Sequence, residues 1–325
     1  MKFTKTILSA ALMGLVTFTS QINAQELVGW NLHTPDNPNG QAMEFFAQAV
    51  EGATEGRHTA KVFHNGLLGD QTSAIEQINI GGVDWALFSS GALSDTVEGF
   101  KVTSLPYIFS SKEHMFKVVD GEIGQQLSDM LASANMIALG WFDAGARSFY
   151  TAEKPILSPE DAKGQKLRVP NAQMFVAMAE AIGANATPLA FAEVYTALQT
   201  GVVDGAENNP PSVVSTRHHE VVKHYALDEH LMVPDVLVMS RTVWDSLSAE
   251  DQARVAEAGK QAAQMQRELW IEDEVAAMKA IEAQGVTIHK IEDKSGFMSA
   301  MDSVYDEMVT SDTVRELITA VRAVK

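Results

Sequence analysis

Two arginines and an asparagine stand beside predicted strands and could together bind a carboxylate. Arg147 lies in AGARSFY just after an apolar strand, Arg168 lies in KLRVPN, and Asn208 follows the strand in VVDGAEN. The loops at the carboxyl ends of strands in parallel α/β sheets face the crevice where ligands bind. A guanidinium fork matches two carboxylate oxygens with parallel hydrogen bonds. These residues therefore predict an anion site, although either arginine alone could instead make an ordinary surface salt bridge.

No sequence motif of catalysis accompanies these residues. The chain contains no P-loop, no G-x-G-x-x-G, no H-E-x-x-H, no G-x-S-x-G and no cysteine. The segment RHHEVVKH (217–224) places Glu220 and His224 four residues apart. Because no third ligand stands at a suitable spacing, we interpret this segment as a solvated helix face. We expect a binding protein with no catalytic residue, no metal site and no cofactor.

Alternating strands and amphipathic helices must position the candidate residues. ELVGWNL (26–32) is predicted as a strand, and GQAMEFFAQAVEGAT (40–54) as a helix whose inner face contains Met43, Phe46, Ala47 and Val50. The alternation continues through HTAKVFHN, QTSAIEQINIGG and VDWALFSS. A βαβαβ order predicts a mostly parallel sheet covered by helices on both faces.

Two short segments repeat each other and indicate two lobes of like design. IGGVDWA (80–86) and TGVVDGA (200–206) each contain a helix-ending glycine followed by Val-Asp-x-Ala, at an offset of 120 residues. Residues 247–285 run without proline and predict a helix of about 36 residues, which would extend about 54 Å and span both lobes. A strand, GVTIHKI, and a final helix over 297–323 are predicted to follow.

Composition limits the compartment and the partners. Residues 1–24 combine a basic start, an apolar core and Ala24, which together are typical of a secretory signal peptide. An exported chain without cysteine must be stabilised by its core alone, and residues 25–325 suffice for two domains. The net charge of −18 argues against nucleic acid and anionic lipid as partners. A small anion is still possible, because a local arginine cluster can outweigh a distant, screened net charge.

The segments KPILSPEDAKGQKLRVPNA and PLAFAEVYTALQTGVVDGAENN resemble the central signature of TRAP-transporter solute-binding proteins of the DctP type. The spacing agrees, because Arg147 precedes Arg168 by 21 residues and Asn208 follows it by 40. FHNGLLGDQTSAIEQINIGGVDWALFSSG and LPYIF are similar to the amino-terminal half of that family. The resemblance extends over essentially the whole chain after the predicted signal peptide.

This resemblance implies an α/β, two-lobed periplasmic binding protein fold, with a hinge and a long helix spanning both lobes. After the signal peptide, 1–24, we expect lobe I over 25–145 and 234–273, and lobe II over 146–233 and 274–325. The implied partners are a small organic acid and the membrane subunits of a sodium-coupled TRAP permease. A periplasmic monomer is expected.

The resemblance also implies ligand contacts on the second lobe. Arg168 is the principal carboxylate anchor, Asn208 hydrogen-bonds the same end of the ligand, and Arg147 is the second arginine of the cleft. Asn171 and Phe191 match further contact positions. From the residues alone, Asn171 would equally suit a helix N-cap and Phe191 would equally suit core packing.

On the first lobe, Asn31 and Gln71 match family contact positions. Ser89 stands where sialic-acid-binding members have a glutamate, and this departure argues against a sialic acid ligand. His33, in the loop after the first strand, is a further candidate that rests on its position alone.

Polar side chains outnumber apolar ones among the candidate residues, and this balance predicts the ligand class. Neutral hydrogen-bonding groups suit hydroxyls, so we predict a sugar acid: a hexuronate such as glucuronate or galacturonate, or an aldonate. A C4-dicarboxylate remains an alternative, although it would be expected to need a further cation. A periplasmic enzyme acting on sugar acids is an alternative from another class, and a receptor that signals to a sensor kinase is a third.

Overall fold

The computed structural model describes residues 25–325, so the predicted signal peptide at 1–24 lies outside the described residues. The strands are β1 (Gln25–Trp30), β2 (His58–Phe63), β3 (Trp85–Ser89), β4 (Met136–Phe142), β5 (Ala146–Thr151), β6 (Lys166–Val169), β7 (Asn185–Pro188), β8 (Gly205–Asn208), β9 (His224–Met232), β10 (Asp235–Ser240) and β11 (Thr287–Lys290).

The α-helices of the same range are α1 (Pro38–Ala53), α2 (Gln71–Ile80), α3 (Ser90–Leu93), α4 (Lys112–Val119), α5 (Glu122–Met130), α6 (Pro159–Ala162), α7 (Gln173–Ala181), α8 (Val194–Gln199), α9 (Pro210–Ser215), α10 (Arg241–Ser246), α11 (Ala249–Ala283), α12 (Ser295–Ala300), α13 (Asp302–Met308) and α14 (Asp312–Ala323). Short 3-10 helices cover Glu98–Ser104, Leu131–Ala134, Phe191–Glu193 and His218–Glu220. None of the helices between residues 25 and 325 has the length and apolar character needed to cross a membrane.

Two separate sheets form the centres of the two lobes. The first has the strand order β2-β1-β3-β10-β4, and the second has the order β11-β9-β5-β8-β6-β7. In each sheet a single strand runs against the others: β10 in the first and β5 in the second. Each of these strands enters its sheet from the other lobe, because β5 follows β4 and β10 follows β9 along the chain. The expected mostly parallel arrangement is therefore confirmed, with one reversed strand per sheet that begins where its neighbours end.

The repeated Val-Asp segments perform the same structural task in the two lobes. Gly81 and Gly201 end their helices with φ of 79° and 73°, values that favour glycine. The carboxylate of Asp84 then accepts the Val28 N–H, and that of Asp204 accepts the Lys166 N–H, each at 2.7 Å. The aspartate thus connects the chain after the helix to a neighbouring strand in both lobes, which supports the prediction of like design.

The long helix α11 joins the lobes as predicted. Its 35 residues begin after Ser248, whose side chain accepts the Asp251 N–H, and they pack against α1 and β4 of the first lobe and α9 of the second. Gly259, the single glycine within the helix, allows close packing on β4, because a Cβ there would lie 2.7 Å from the Leu139 carbonyl oxygen. The helix therefore provides one crossing between lobes, and the links β4–β5 and β9–β10 provide two more.

The predicted inner face of the first helix is confirmed, but the predicted carboxyl-terminal helix is wrong. Met43, Phe46, Ala47 and Val50 are all buried. The single helix expected over 297–323 is instead three helices, α12 to α14. The last one starts afresh after Ser311, whose hydroxyl accepts the Val314 N–H.

The last helix does not pack on the lobe to which the expected boundaries assign it. We expected residues 274–325 to lie wholly in lobe II. Helix α14 packs instead on first-lobe elements, the 3-10 helix Glu98–Ser104 and α5. Leu317 and Leu127 both lie beside Gly99. The amphipathic face of α14 is thus buried against the first lobe, so α14 is a further element of that lobe.

Candidate functional site: the cavity between the lobes

A cavity lies between the sheet edges that face each other across the two lobes. Including its opening to solvent it encloses about 860 Å³. It is bordered by the ends of β3, β6 and β8 and by the starts of the reversed strands β5 and β10. Its polar lining side chains are those of His33, Asp70, Gln71, Thr72, Ser89, Arg147, Arg168, Asn171, Asn208, Asn209, Ser212 and Asp235. Ligand sites of α/β proteins occur at such strand ends.

Arg168 presents an unpaired charge to this cavity. Its Nε and Nη2 donate to the Leu189 carbonyl oxygen at 3.0 and 2.7 Å, which fixes the guanidinium plane, and only 3% of the residue is exposed. Within residues 25–325 no carboxylate oxygen lies within 4.0 Å of it, and Nη1 makes no hydrogen bond. Burial lowers the pKa of Arg168 to about 10, which still leaves it protonated at neutral pH. A buried cation without a counter-ion favours an anionic ligand.

Arg147 lies on the same wall, but its charge is already compensated. Its Nε and Nη2 donate to the two carboxylate oxygens of Glu207 at 2.5 and 2.7 Å, and Nη1 donates to Asn208 Oδ1 at 2.9 Å. Burial alone would lower the pKa of Arg147, but the Glu207 carboxylate outweighs it and raises the pKa above its usual value. For Glu207 burial acts the other way, and the charge of Arg147 outweighs it and lowers the pKa to about 2.

This ion pair continues into a buried row of alternating charges. His230 Nε2 lies 3.4 Å from Glu207 Oε2, and His230 Nδ1 lies 2.8 Å from Asp228 Oδ2. Although burial opposes it, the two carboxylates raise the pKa of His230 to about 9, so the imidazole is protonated at neutral pH. The row Asp228, His230, Glu207, Arg147 is therefore neutral in sum and holds Arg147 in one orientation. Sequence reasoning missed Glu207, His230 and Asp228, because nothing in their spacing shows that they meet.

The orientation of the Asn208 amide follows from its neighbours. Its Oδ1 accepts from Arg147 Nη1 and from the Asn209 N–H, each at 2.9 Å. Its Nδ2 makes no hydrogen bond within residues 25–325 and is left to donate into the cavity. Asn208 therefore offers a donor beside the two arginines, which suits a carboxylate oxygen.

Asn171 and Phe191 both line the cavity, and for each the structure addresses the alternative that the sequence left open. Helix α7 begins at Gln173 after Ala172, so the N-cap role considered for Asn171 is wrong. Phe191 is 9% exposed and belongs to the second-lobe core, and its ring lies 5.7 Å from the Arg168 guanidinium carbon. Phe191 therefore contributes to core packing and to the cavity wall at once.

On the first lobe, His33, Gln71 and Ser89 reach the cavity. The Ser89 N–H donates to Gln71 Oε1 at 2.8 Å, which leaves the Gln71 amide nitrogen free to donate. Burial, with a smaller effect of Arg147, lowers the pKa of His33 to about 4, so its imidazole is neutral at neutral pH. Its buried Nδ1 has no hydrogen-bond partner in the described part of the chain.

Asn31 is the one sequence candidate that does not line the cavity. It is fully buried, its Oδ1 accepts the His33 N–H at 3.2 Å, and its Nδ2 lies 3.0 Å from His64 Nδ1. Its polar atoms are thus used to hold the loop after β1. Asn31 positions His33 and does not itself face the ligand space.

Asp235, Asn209, Ser212 and Phe175 also line the cavity and were missed from the sequence. Asp235 is the first residue of β10, whereas the candidates predicted from the sequence follow strands. Its burial raises its pKa to about 7, against an Asn39 hydrogen bond that lowers it. Asn209 caps α9 and Ser212 lies in its first turn, so both point from the second lobe.

The interpretation of RHHEVVKH as a solvated helix face is wrong for its first histidine, His218. His218 is 1% exposed, and its Nδ1 lies 2.8 Å from the Tyr150 hydroxyl. The chain bends into the 3-10 helix His218–Glu220, so the side chain turns inward beneath Phe191, at a ring distance of 5.9 Å. No group of three or more side chains suited to a metal ion occurs between residues 25 and 325.

Two mixed sheets linked by three crossings, with a preformed polar cavity between them, define the class of two-lobed solute-binding proteins. The chain belongs to the DctP family of bacterial extracellular solute-binding proteins, family 7, whose model matches residues 31–312. It is thus a TRAP-type solute-binding protein.

Relatives and solved structures agree with this assignment. A solute-binding protein of Chromohalobacter salexigens is 43% identical over 312 residues, which is 95% of this chain and 93% of the relative. The crystal structure of a TRAP periplasmic solute-binding protein from Sulfitobacter sp. NAS-14.1, with bound β-D-galacturonate, is 46% identical with a TM-score of 0.89 and covers 92% of this chain and 99% of that one. The corresponding protein from Roseobacter denitrificans, with bound β-D-glucuronate, is 42% identical with a TM-score of 0.91 and covers 93% and 100%.

Proposed function

We propose that this protein is a periplasmic receptor that captures a sugar acid, a hexuronate such as glucuronate or galacturonate, and delivers it to a TRAP-type membrane permease. The observation that carries the proposal is the buried, acid-free guanidinium of Arg168 in a cavity whose polar lining side chains are mostly uncharged. The ligand carboxylate would replace the missing counter-ion.

The surrounding groups favour hydroxyls at the rest of the ligand. Donors remain free on Asn208 and Gln71, and a neutral acceptor or donor remains on His33 and Ser212. A simple dicarboxylate would need a second free cation, but Arg147, the other lining arginine, is paired with Glu207. The bound galacturonate and glucuronate of the Sulfitobacter and Roseobacter proteins support the same ligand class.

Delivery to a permease and a periplasmic location are proposed from family membership. The solved relatives are described as TRAP periplasmic solute-binding proteins. The walls of the cavity lie on different lobes, which the chain joins through β4–β5, β9–β10, α11 and the link from α13 to α14. Closure about these links would cover the ligand. No residue arrangement in the cavity calls for turnover, so we assign Arg168, Arg147, Asn208, Asn171, Phe191, Gln71, His33 and Ser89 to binding, and Asn31 to positioning.

Titration calorimetry with matched ligands tests the proposal. D-glucuronate and D-galacturonate should bind, whereas D-glucose, which has a hydroxymethyl group in place of the glucuronate carboxylate, should not bind detectably. Succinate and malate serve as the dicarboxylate arm. Binding of succinate or malate without binding of any sugar acid would overturn the proposal, and so would loss of the ligand by chemical conversion during the titration.

A further inference from the structure

Asp235 places a buried carboxylate in the first-lobe wall of the cavity. The residue begins β10, is 5% exposed and lines the cavity opposite the second-lobe arginines. Its Oδ2 accepts a hydrogen bond from Asn39 Nδ2 at 2.9 Å, and the His33 Nε2 atom lies 4.0 Å from the same oxygen. Its Oδ1 has no hydrogen-bond partner within residues 25–325, so one carboxylate oxygen is left for a ligand.

A chain of buried amides fixes the orientation of this carboxylate. Gln266 on α11 donates from Nε2 to Asn39 Oδ1 at 2.6 Å and to the Asp143 carbonyl oxygen at 2.8 Å, and its Oε1 accepts the Asp143 N–H. Because the Asn39 oxygen is occupied, its amide nitrogen must face Asp235. Asn39 and Gln266 are both fully buried. Asp235 is therefore held by a built network and is not a surface acid that happens to lie near the cleft.

No cation neutralises Asp235 directly. Within the described chain no lysine or arginine nitrogen lies within 4.0 Å of its carboxylate, and Arg147 is committed to Glu207. The neighbouring His33 is neutral at neutral pH, because burial holds its pKa at about 4. The available partners for the free oxygen are therefore hydrogen-bond donors of the ligand. Hydroxyl donors to a carboxylate make short, charge-assisted hydrogen bonds.

We propose that Asp235 determines specificity: it accepts hydrogen bonds from ligand hydroxyls at the end remote from the ligand carboxylate, and it excludes acids that have a second anionic group at that end. This inference rests on the proposed function, since it presumes that Arg168 orients the ligand acid toward the second lobe. Rejection follows because a second carboxylate would meet a like charge inside a desolvated cavity, a repulsive device that discriminates between otherwise similar ligands. Burial raises the pKa of Asp235 to about 7, so the carboxyl group is mostly ionised at pH 8, and hydrogen bonds from ligand hydroxyls stabilise that ionised form.

Calorimetry with D-glucuronate and D-glucarate at pH 8, where Asp235 is mostly ionised, tests this inference. D-glucarate has a second carboxylate where glucuronate has its anomeric carbon. We expect the unaltered protein to bind glucarate at least tenfold more weakly than glucuronate. In Asp235→Asn, which keeps the shape and removes the charge, glucuronate affinity should fall at least tenfold and the preference over glucarate should shrink at least tenfold.

Asp36→Asn is the matched control. Asp36 is an exposed acid in the loop that contains His33 and does not line the cavity, so its removal changes the net charge equally. Both affinities should stay within twofold of those of the unaltered protein.

Three outcomes would overturn the inference. These are glucuronate binding by Asp235→Asn within twofold of the unaltered protein, an unchanged ratio of the two affinities in that variant, and equal binding of glucarate and glucuronate by the unaltered protein. The last comparison needs no variant, so it decides the question even if Asp235→Asn fails to fold. Failure of the unaltered protein to bind any uronate would instead overturn the proposed function, and this inference with it.

Discussion

The two walls of the cavity differ in charge. The second-lobe wall contains both lining arginines, whereas the charged side chains of the first-lobe wall are Asp70 and Asp235. Within the second-lobe wall, Glu207 neutralises the charge of Arg147, so Arg168 is the arginine of this wall whose charge is unpaired. A ligand with one acid end and one hydroxyl-rich end matches this polarity, and a symmetric diacid does not. This difference in charge predicts which end of the ligand lies against each lobe. Each prediction below tests one of the groups that produce the difference.

The largest effect is expected from Glu207→Gln, which would make the second-lobe wall doubly cationic. Breaking a buried ion pair from one side costs about 3–5 kcal/mol of unfolding free energy, because the partner charge is left buried without compensation. Urea denaturation at pH 7 measures this loss. Glu153→Gln removes the exposed partner of Lys223 and should change stability by less than about 1 kcal/mol. A loss below 1 kcal/mol for Glu207→Gln would show that Arg147 does not depend on its neighbour.

Replacement of Arg168 removes the unpaired positive charge of the second-lobe wall and should weaken ligand binding. Arg168→Ala should weaken uronate binding by about 2–5 kcal/mol, since the ligand carboxylate would be buried without its charge partner. Arg168→Lys should recover only part of the affinity, because a lysine lacks the planar fork. Titration calorimetry measures both variants.

Lys166→Ala provides the control on the same strand, because Lys166 is exposed and lies outside the cavity. It should bind uronate within twofold of the unaltered protein. Arg168→Ala binding within twofold would contradict the anchoring role. Because Arg168 has no acid partner in the described chain, its removal should also cost the free protein less stability than Glu207→Gln does.

The buried carboxyl group of Asp235 in the first-lobe wall should make the stability of the protein depend on pH. The pKa of Asp235 is raised to about 7 in the folded protein, mainly by burial, against about 4 for an unfolded aspartate. Between these values the unfolded chain releases the proton that the folded protein keeps, so the stability contribution of Asp235 is present below pH 4 and is lost as the pH rises to 7. The ligand-free protein should therefore lose about 2–4 kcal/mol relative to Asp235→Asn between pH 4 and pH 8.

Urea denaturation of the two proteins at both pH values measures this change. Asp36→Asn should show no such divergence from the unaltered protein. If the unaltered protein and Asp235→Asn differed in unfolding free energy by the same amount at both pH values, the folded protein would not be raising the pKa of Asp235.

The parts of this contrast that could be predicted from the sequence are local. Arg168 stands beside a proline near a strand end, and the Val-Asp repeat after Gly81 and Gly201 indicates two lobes, because each signal lies within a few residues. The inner face of α1 follows in the same way from the helical period. The two reversed strands also explain a partial success: Arg147 was placed after a strand but lies near the start of β5, and both positions face the cleft.

The parts that could not be predicted depend on distant contacts. Glu207 meets Arg147 across 60 residues, and Asn39 meets Asp235 across 196. Burial decides the charge state of each group, and burial is a property of the assembled lobes. Asp235 stands at the start of a strand that enters from the other lobe, a position at which a polar side chain also faces the cleft. The packing of α14 on the first lobe could not be predicted either, because an amphipathic pattern does not specify the surface on which the helix packs.

The smallest effect is expected at Phe191, whose ring faces the Arg168 guanidinium group. The Arg168 guanidinium carbon lies 5.7 Å from the ring centre, a distance at which a cation–π contact contributes about 1 kcal/mol. Phe191→Leu keeps an apolar side chain in the core, so uronate affinity should fall by about 1 kcal/mol while the preference for uronate over glucose persists. Phe116→Leu removes a similar contact with Arg267, at 4.0 Å and outside the cavity, and should leave the affinity unchanged. An equal fall in both variants would mean that the loss reflects general packing and not the support of Arg168.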